Sequence, residues 1–408
     1  MDALTTGIMA DFRALVKGLL EEAEKIVNQA GAEALESRVR TEGQRLLGNL
    51  WERLLQHTLD RQEEARVCPR CGGRRRHKGI RQRGLVSSVG HVRLKGPYWY
   101  CPRCRTGEHA LDALAPESVS GVARELICLL GTSLASFAKA SKVCVKALGI
   151  KLDEETVRRM CLGEGQKVLD APPIPPPVPE KADLVGSCDG TMVNTIQERW
   201  RELKVYRFEH TGGSHAGAYL ESAEAFMPRV RKAALAMKAS RAGRMIWVSD
   251  AAEWIDKGIA VQLPDAKRIV DIWHARQHIH DAARKIFGEG TVQAQRWGRR
   301  YSEELRQDGG RVVWHSLRRV RYKDLARQEA LNALLGYLDR QADRLDYPTY
   351  ERWGYPISSG GMESCCKQMG QRLKGPGMRW SIPNVNPMTA LVCLWTQDEW
   401  DNHWRKTG

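Results

Sequence analysis

The chain has 408 residues, 42% of them hydrophobic, which is enough for two or more hydrophobic cores rather than one. Lys and Arg outnumber Asp and Glu by 64 to 49, and the resulting formal charge of +15 favours a polyanionic partner. The composition argues against a membrane-spanning helix and a membrane partner. The longest apolar stretch, residues 126–137, is broken by Gly131, Thr132 and Ser133 and falls short of the ~18 uncharged residues a span needs. The first residues lack the basic segment and apolar core of a secretory signal, so a cytoplasmic, reducing compartment is expected. There the eleven cysteines are expected to bind metal or lie buried rather than form disulfides.

Residues 1–66 carry apolar side chains at helical spacing, Leu46, Leu47, Leu50, Leu54 and Leu55 among them, with Gly31 near a break. A two-helix hairpin is expected, serving oligomerisation or packing on the next domain, with DNA-end binding as the alternative. Residues 67–113 change to short β-like runs punctuated by glycine and basic residues, a separate small module. Residues 114–171 return to helix: one segment ends near Gly131, a second covers 136–148, and a third is capped by Asp153 with Glu154 and Glu155 in its first turn. That order is helix-turn-helix-like, with Arg158 and Arg159 as its phosphate contacts.

The proline-rich run at residues 172–182 can be neither helix nor central strand and reads as an extended spacer. Beyond it the expected elements are strands at 184–188, 203–210 and 219–226, a helix at 227–239, a strand at 245–248, a helix at 252–259 and a strand at 268–271. This is an α/β pattern. From about residue 275 to 345 the chain reads as helix with turns, and further helices close it.

Cys68-Pro-Arg-Cys71 and Cys101-Pro-Arg-Cys104 supply two thiolates each, separated by enough chain for a β-hairpin. Two such knuckles face to face make the closed tetrahedron of structural Zn2+. Between them lie Arg74, Arg75, Arg76, His77, Lys78, Arg81 and Arg83. A rigid zinc ribbon presenting that cluster grips phosphates; the alternative is a solvated basic loop. Tyr98, Trp99 and Tyr100 alternate along a strand and read as the small module's core.

Asp189 follows the apolar residues 184–188 and Asp250 follows 245–249, so both carboxylates are expected at strand ends. If the strands are parallel, they share one sheet edge, where α/β proteins build sites. Glu363 opens a helix that can bring a third carboxylate. Taken singly, each acid has an ordinary explanation: a turn at Asp189-Gly190, an N-cap at Asp250, an i,i+4 pair between Glu363 and Lys367. Taken together in a basic chain bearing a zinc module, they read as one site for Mg2+ or Mn2+ acting on a nucleic-acid phosphate.

Asp189-Gly-Thr, Val248-Ser-Asp-Ala-Ala-Glu-Trp-Ile, Asp271-Ile-Trp-His274, Asp346-Tyr-Pro, Gly360-Gly-Met-Glu-Ser and Gln371-Arg-Leu-Lys-Gly-Pro-Gly-Met-Arg-Trp380 together resemble the Kra-type family of bacterial insertion-sequence transposases, a branch of the DDE superfamily. The resemblance runs from Cys68 to the C-terminus. It implies a multidomain α/β chain in which a ribonuclease-H-like catalytic domain (183–282 and 346–408) is interrupted by an all-helical insertion (283–345) and preceded by the helical segments and zinc ribbon. It also implies Asp189, Asp250 and Glu363 as the acidic triad. Ala251 stands where relatives often carry glycine, a small-for-small departure. Asp271 and His274 resemble a signature of Mutator-like and hAT-like transposases that lies near the active site. His274 is then either a group that orients a carboxylate or contacts the scissile phosphate, or a structural histidine.

The implied function is binding of double-stranded DNA at the element's ends, metal-dependent cleavage, and attack of the freed 3′-OH on target DNA, by a homodimer or higher oligomer at the bacterial nucleoid. No covalent protein intermediate is required. Arg318, Arg319 and Arg321 beside Trp314, and Arg372, Lys374 and Arg379 beside Trp380, are candidate DNA tracks. Trp297 and Trp314 read either as core or as wedges in a distorted strand. The rival functions are a catalytically inactive DNA-binding regulator and a metal-dependent nuclease without strand transfer.

Overall fold

The computed structural model describes residues 3–61, 66–397 and 399–407. The chain forms two compact units, Met1–Cys161 with Asn402–Gly408, and Leu162–Asp401.

The first unit opens with the expected hairpin, α1 (Ala3–Ala30) and α2 (Ala32–Asp60). Gly31 turns the chain at φ 82°, a conformation that suits glycine, and Asp11 pairs with Arg53 across the helices at 2.9 Å. A three-stranded antiparallel sheet follows, in the order β1 (Arg76–Ser87), β2 (Gly90–Cys101), β3 (Thr106–His109). Leu55 and Leu59 of α2 pack with Leu85, Val92, Leu94 and Leu111 as one small core.

β3 pairs only with Tyr98–Cys101, which leaves the earlier part of that β2 edge open. The side-chain amide of Gln56 closes it, accepting from the Lys95 N–H at 2.9 Å and donating to the Lys95 carbonyl at 2.8 Å. Helix α2 thereby substitutes for a missing strand partner. The unit continues with α3 (Gly121–Ser133), α4 (Phe137–Leu148) and α5 (Glu154–Asp170). Ser120, Ser136 and Asp153 cap their N-termini through the backbone N–H groups of Ala123, Lys139 and Thr156. Gly149 ends α4 in the left-handed region, and Arg40 of α2 donates to the last carbonyls of α4, at Lys146 and Ala147.

The boundary between units falls inside α5. The proline-rich segment, expected as a spacer, instead packs on the second unit. Val178 is fully buried among Leu184, Phe226 and Trp247, and its N–H bonds the Met237 carbonyl at 2.7 Å. Extended backbone there serves as a cover for apolar surface, which composition alone does not distinguish from a free linker.

The second unit is built on a mixed five-stranded sheet, order β6-β5-β4-β7-β8. The strands are β4 (Asp183–Thr195), β5 (Arg199–His210), β6 (Gly213–Tyr219), β7 (Arg244–Ser249) and β8 (Lys267–Val270). β5 runs antiparallel to both β4 and β6, while β7 and β8 run parallel to β4. The side-chain alternation of β7 shows the two faces. Trp247 packs with α6 (Ala223–Ala236) and α7 (Glu253–Gln262). Ile246 and Val248 pack with α8 (Ile272–Phe287), α9 (Val292–Asp308), α10 (Gly310–Leu317), α11 (Leu325–Arg340) and α12 (Tyr347–Arg352). The helical block at 283–345 thus shares a core with the sheet through Tyr301, Leu305, Leu331 and Leu334.

Helices α13 (Gly360–Leu373), α14 (Ile382–Thr396) and α15 (Trp400–Thr407) complete the chain. α14 is fixed to β6 by Thr389, whose hydroxyl donates to the Ala218 carbonyl at 2.8 Å.

Two expected elements differ. Residues 219–226 are not a strand: Ser222 caps α6 through the Ala225 N–H, and Leu220 N–H is claimed by Asn386 at 2.7 Å. β4 does not end at Asp189, because Gly190 and Thr191 go on pairing with Lys204 and Leu203 of β5. Asp-Gly is a common turn signal, overridden here by a long antiparallel partner.

Candidate functional site

Asp189 lies within β4 and Asp250 directly follows β7. The parallel register pairs Gly186 with Trp247, so three residues further along each chain Asp189 and Asp250 stand at the same level on neighbouring paths. The pair feel one another. Burial pushes the Asp250 carboxyl above its ordinary range, and the Asp189 charge adds to this, while the Ala252 N–H bond and His274 oppose it.

Glu363 is the fourth residue of α13. That helix lies over the sheet, since the Cys366 thiol reaches the Asp189 carboxylate at 3.5 Å and the Lys374 ammonium donates to the Thr191 hydroxyl. Asp189, Asp250, His274 and Glu363 line one cleft of about 340 Å³.

Asp271 holds this cleft's wall together. It is buried, caps α8 by accepting from the Trp273 N–H at 2.7 Å, and accepts both the backbone N–H and the hydroxyl of Ser359 at 2.6 Å. Ser359 is the residue before α13, so Asp271 fixes the start of the helix carrying Glu363 to the end of β8. The Asp271 and His274 pair divides its labour: the aspartate braces backbone, and the histidine faces the cleft.

Glu363 itself is exposed and ion-paired with Lys367 at 2.9 Å, the surface pair its spacing allows. Among the described residues, the three carboxylates do not form a set with oxygens all within 4.8 Å of one another. An exposed i,i+4 pair is worth only about 0.3–0.5 kcal/mol, so it does not fix the side chain against a competing cation.

Two residues were not singled out by sequence reasoning, Cys366 beside Asp189 and Trp273 in the cleft lining. Cys366 follows Glu363 by three positions on one helical face, a spacing visible in the sequence once α13 is known. Trp273 lines the cleft and is 62% exposed, unusual for an indole in a globular protein. No local signal marks either beforehand.

The four cysteines do form a compact set. Cys68, Cys71, Cys101 and Cys104 place their sulfurs within 4.8 Å of one another, with Cys71 to Cys101 at 3.7 Å and Cys68 to Cys104 at 4.0 Å. A zinc–sulfur distance of ~2.3 Å in a tetrahedron sets sulfur–sulfur edges of about 3.8 Å, so the cluster can hold Zn2+. The backbone N–H groups of Arg70 and Cys71 pull the Cys68 thiol down to about 6, while sulfur neighbours, Cys71 first, push Cys104 up to about 12. Four thiols crowded this way cannot all ionise without a cation among them.

The basic residues divide into free and committed groups. Arg74, Arg76, Lys78 and Arg81 are exposed, Arg81 stacked on Tyr98 at 3.7 Å. Arg75, expected to contact DNA, is instead buried against Glu108, and Arg83 is half-buried with Asp112 and the Pro116 carbonyl. Arg372 is likewise buried, over the Trp380 ring at 4.9 Å, so it belongs to the core rather than to a DNA track. A charge that has left water for such a setting is not available to phosphate.

Arg158 is paired with Glu155 at 2.5 Å, whereas Arg159 is exposed. Arg318 lies over Trp314 at 4.9 Å, Arg321 donates to the Arg318 and Val320 carbonyls, and Arg319, Lys374 and Arg379 are exposed. Trp297 and Trp314 pack against the core of the second unit. Among the described residues no helix is long and apolar enough to cross a membrane.

No protein-family model and no curated protein matches the chain. Among solved structures it is similar to the Drosophila P element transposase strand transfer complex, with 9% identity and a TM-score of 0.27, over 71% of this chain and 80% of that one. A likeness of that size carries neither fold nor function.

Proposed function

We propose that the chain is a DDE-type DNA transposase of the Kra kind, with a ribonuclease-H-like catalytic unit and Asp189, Asp250 and Glu363 as its acidic triad. The observation that carries this reading is that three acids from separate elements, far apart in sequence, line one cleft together with His274. The mixed sheet with both aspartates on adjoining parallel paths supports it, as does the exposed cationic set Arg74, Arg76, Lys78 and Arg81 beside a cysteine cluster suited to zinc.

The cleft's donor set fits hard divalent cations. Its ligands are carboxylates, and the burial that raises Asp250, with the Asp189 charge adding to it, is the kind of penalty a cation offsets. Asp189, Asp250 and Glu363 would hold Mg2+ or Mn2+, which supplies Lewis-acid polarisation of a phosphate and an activated attacking oxygen. The protein's own groups do the rest. Asp271 fixes the entry of α13, and His274 and the exposed Trp273 place an imidazole and an indole on the cleft wall. The basic surface residues hold the polyanion, with affinity that falls as salt rises.

The test uses the purified chain, Mg2+ or Mn2+, and labelled duplex carrying the ends of the encoding element, scored for cleavage and for joining. Both products are expected, only with metal, and Glu363→Gln is expected to bind the duplex as before and give neither. Binding without either product in any metal would assign a regulator, cleavage without joining a nuclease, and normal cleavage by Glu363→Gln would remove that residue from the site.

A further inference from the structure

Helix α1 is apolar over more of its circumference than α2 covers. Ile8, Leu15, Leu19 and Ile26 are half-buried on one side. Met9, Phe12, Val16, Leu20 and Val27 are between 37% and 73% exposed. At ~100° per residue these five fall within an arc of about 80°, a narrow seam running ~27 Å along the helix. A stripe of this spacing is the side of a coiled coil that meets another helix.

The charges beside the stripe name the partner. Along its open flank lie Arg13 and Lys17 in the N-terminal half, then Glu21 and Glu24 in the C-terminal half. A parallel copy would carry these like flanks to opposite faces of the pair, where they cannot meet. An antiparallel copy brings the like flanks together, Arg13 toward Glu24 and Lys17 toward Glu21, and within two residues of that register faces Met9 with Val27 and Val16 with Leu20. The apolar pairs centre on residue 18 and the charged pairs lie within one residue of it, the self-complementarity of an isologous interface. An anionic membrane surface is the poorer occupant, because Glu21, Glu22 and Glu24 oppose it.

We propose that α1 is the seam of a symmetric homodimer, packed antiparallel on α1 of a second copy. This stands independently of the catalytic reading.

Light scattering on the full-length, zinc-loaded chain is expected to give a dimer, and Val16→Glu/Leu20→Glu a monomer of unchanged helicity by circular dichroism. Under mild oxidation, a mixture of Met9→Cys and Val27→Cys chains is expected to cross-link through those positions, whereas Met9→Cys alone gives no more than the unmodified chain. A monomeric unmodified chain at micromolar concentration, a dimer that survives Val16→Glu/Leu20→Glu, or self-cross-linking of Met9→Cys would overturn the seam. So would a monomer that instead floats with anionic vesicles.

Discussion

Replacing Asp250 by asparagine is expected to abolish phosphodiester cleavage, by roughly 10³-fold or more, while leaving the fold at least as stable as before. On the proposed reading, the catalytic loss would follow from removing one anionic ligand from a site that stabilises transition-state charge by several kcal/mol; about 4 kcal/mol is already a thousandfold. The stability result follows from the carboxyl's surroundings. Burial raises its folded pKa, with the Asp189 charge acting in the same direction. Folding therefore favours the protonated form, and stability is lost as pH rises from the ordinary carboxyl value of ~3.9 toward the raised folded value. Asparagine carries no charge to desolvate and keeps a carbonyl oxygen for the Ala252 N–H. Thermal melts in EDTA at neutral pH should place Asp250→Asn level with or above the unmodified chain, and added Mg2+ should raise only the unmodified chain. A variant that cleaves normally, or that melts well below the unmodified chain in EDTA, would show a structural aspartate instead.

Cys101→Ser is expected to lose zinc and melt the three-stranded sheet of the first unit. Cys101 is fully buried, ends β2 and stands 3.7 Å from Cys71. Among the described residues the neighbouring apolar core is small, five buried residues, so it cannot hold the sheet alone. Structural zinc in isolated finger peptides supplies about 10–16 kcal/mol of apparent folding energy, far more than such a core. Metal analysis should give one zinc per unmodified chain and less than one for the variant, with loss of cooperative melting of that unit. A strong chelator, or acid that protonates the thiolates, should reproduce the effect. A zinc-free unmodified chain, or a variant with an unchanged melt, would mean the sulfurs pack without metal.

Much of the fold was legible because it is encoded locally. The helical hairpin about Gly31, the cap at Asp153 and the paired knuckles all depend on residues close in sequence. What escaped depends on distant partners. Nothing near Asp189 tells that β5 will keep β4 extended past it. The burial of Arg75 and Arg83 is decided by Glu108 and Asp112, about thirty residues later, so a run of like charges cannot show which members remain free. The proline-rich segment looks like a linker until Val178 finds the apolar surface of the second unit. In the cleft, the three acids were each visible, yet the brace between Asp271 and Ser359 spans 88 positions and has no sequence signal. Glu363 shows the converse: its local pairing with Lys367 was legible and is present, while its proposed reach toward the aspartates has no sequence signal.

That reach can be tested directly. With Fe2+, ascorbate and peroxide in place of Mg2+, hydroxyl radicals cut backbone close to the bound ion. Cuts are expected around residues 189, 250 and 363 together, suppressed by excess Mg2+ and absent in Asp250→Asn. Cuts confined to one of these segments, or none near any of them, would contradict a single cation site shared by the three acids.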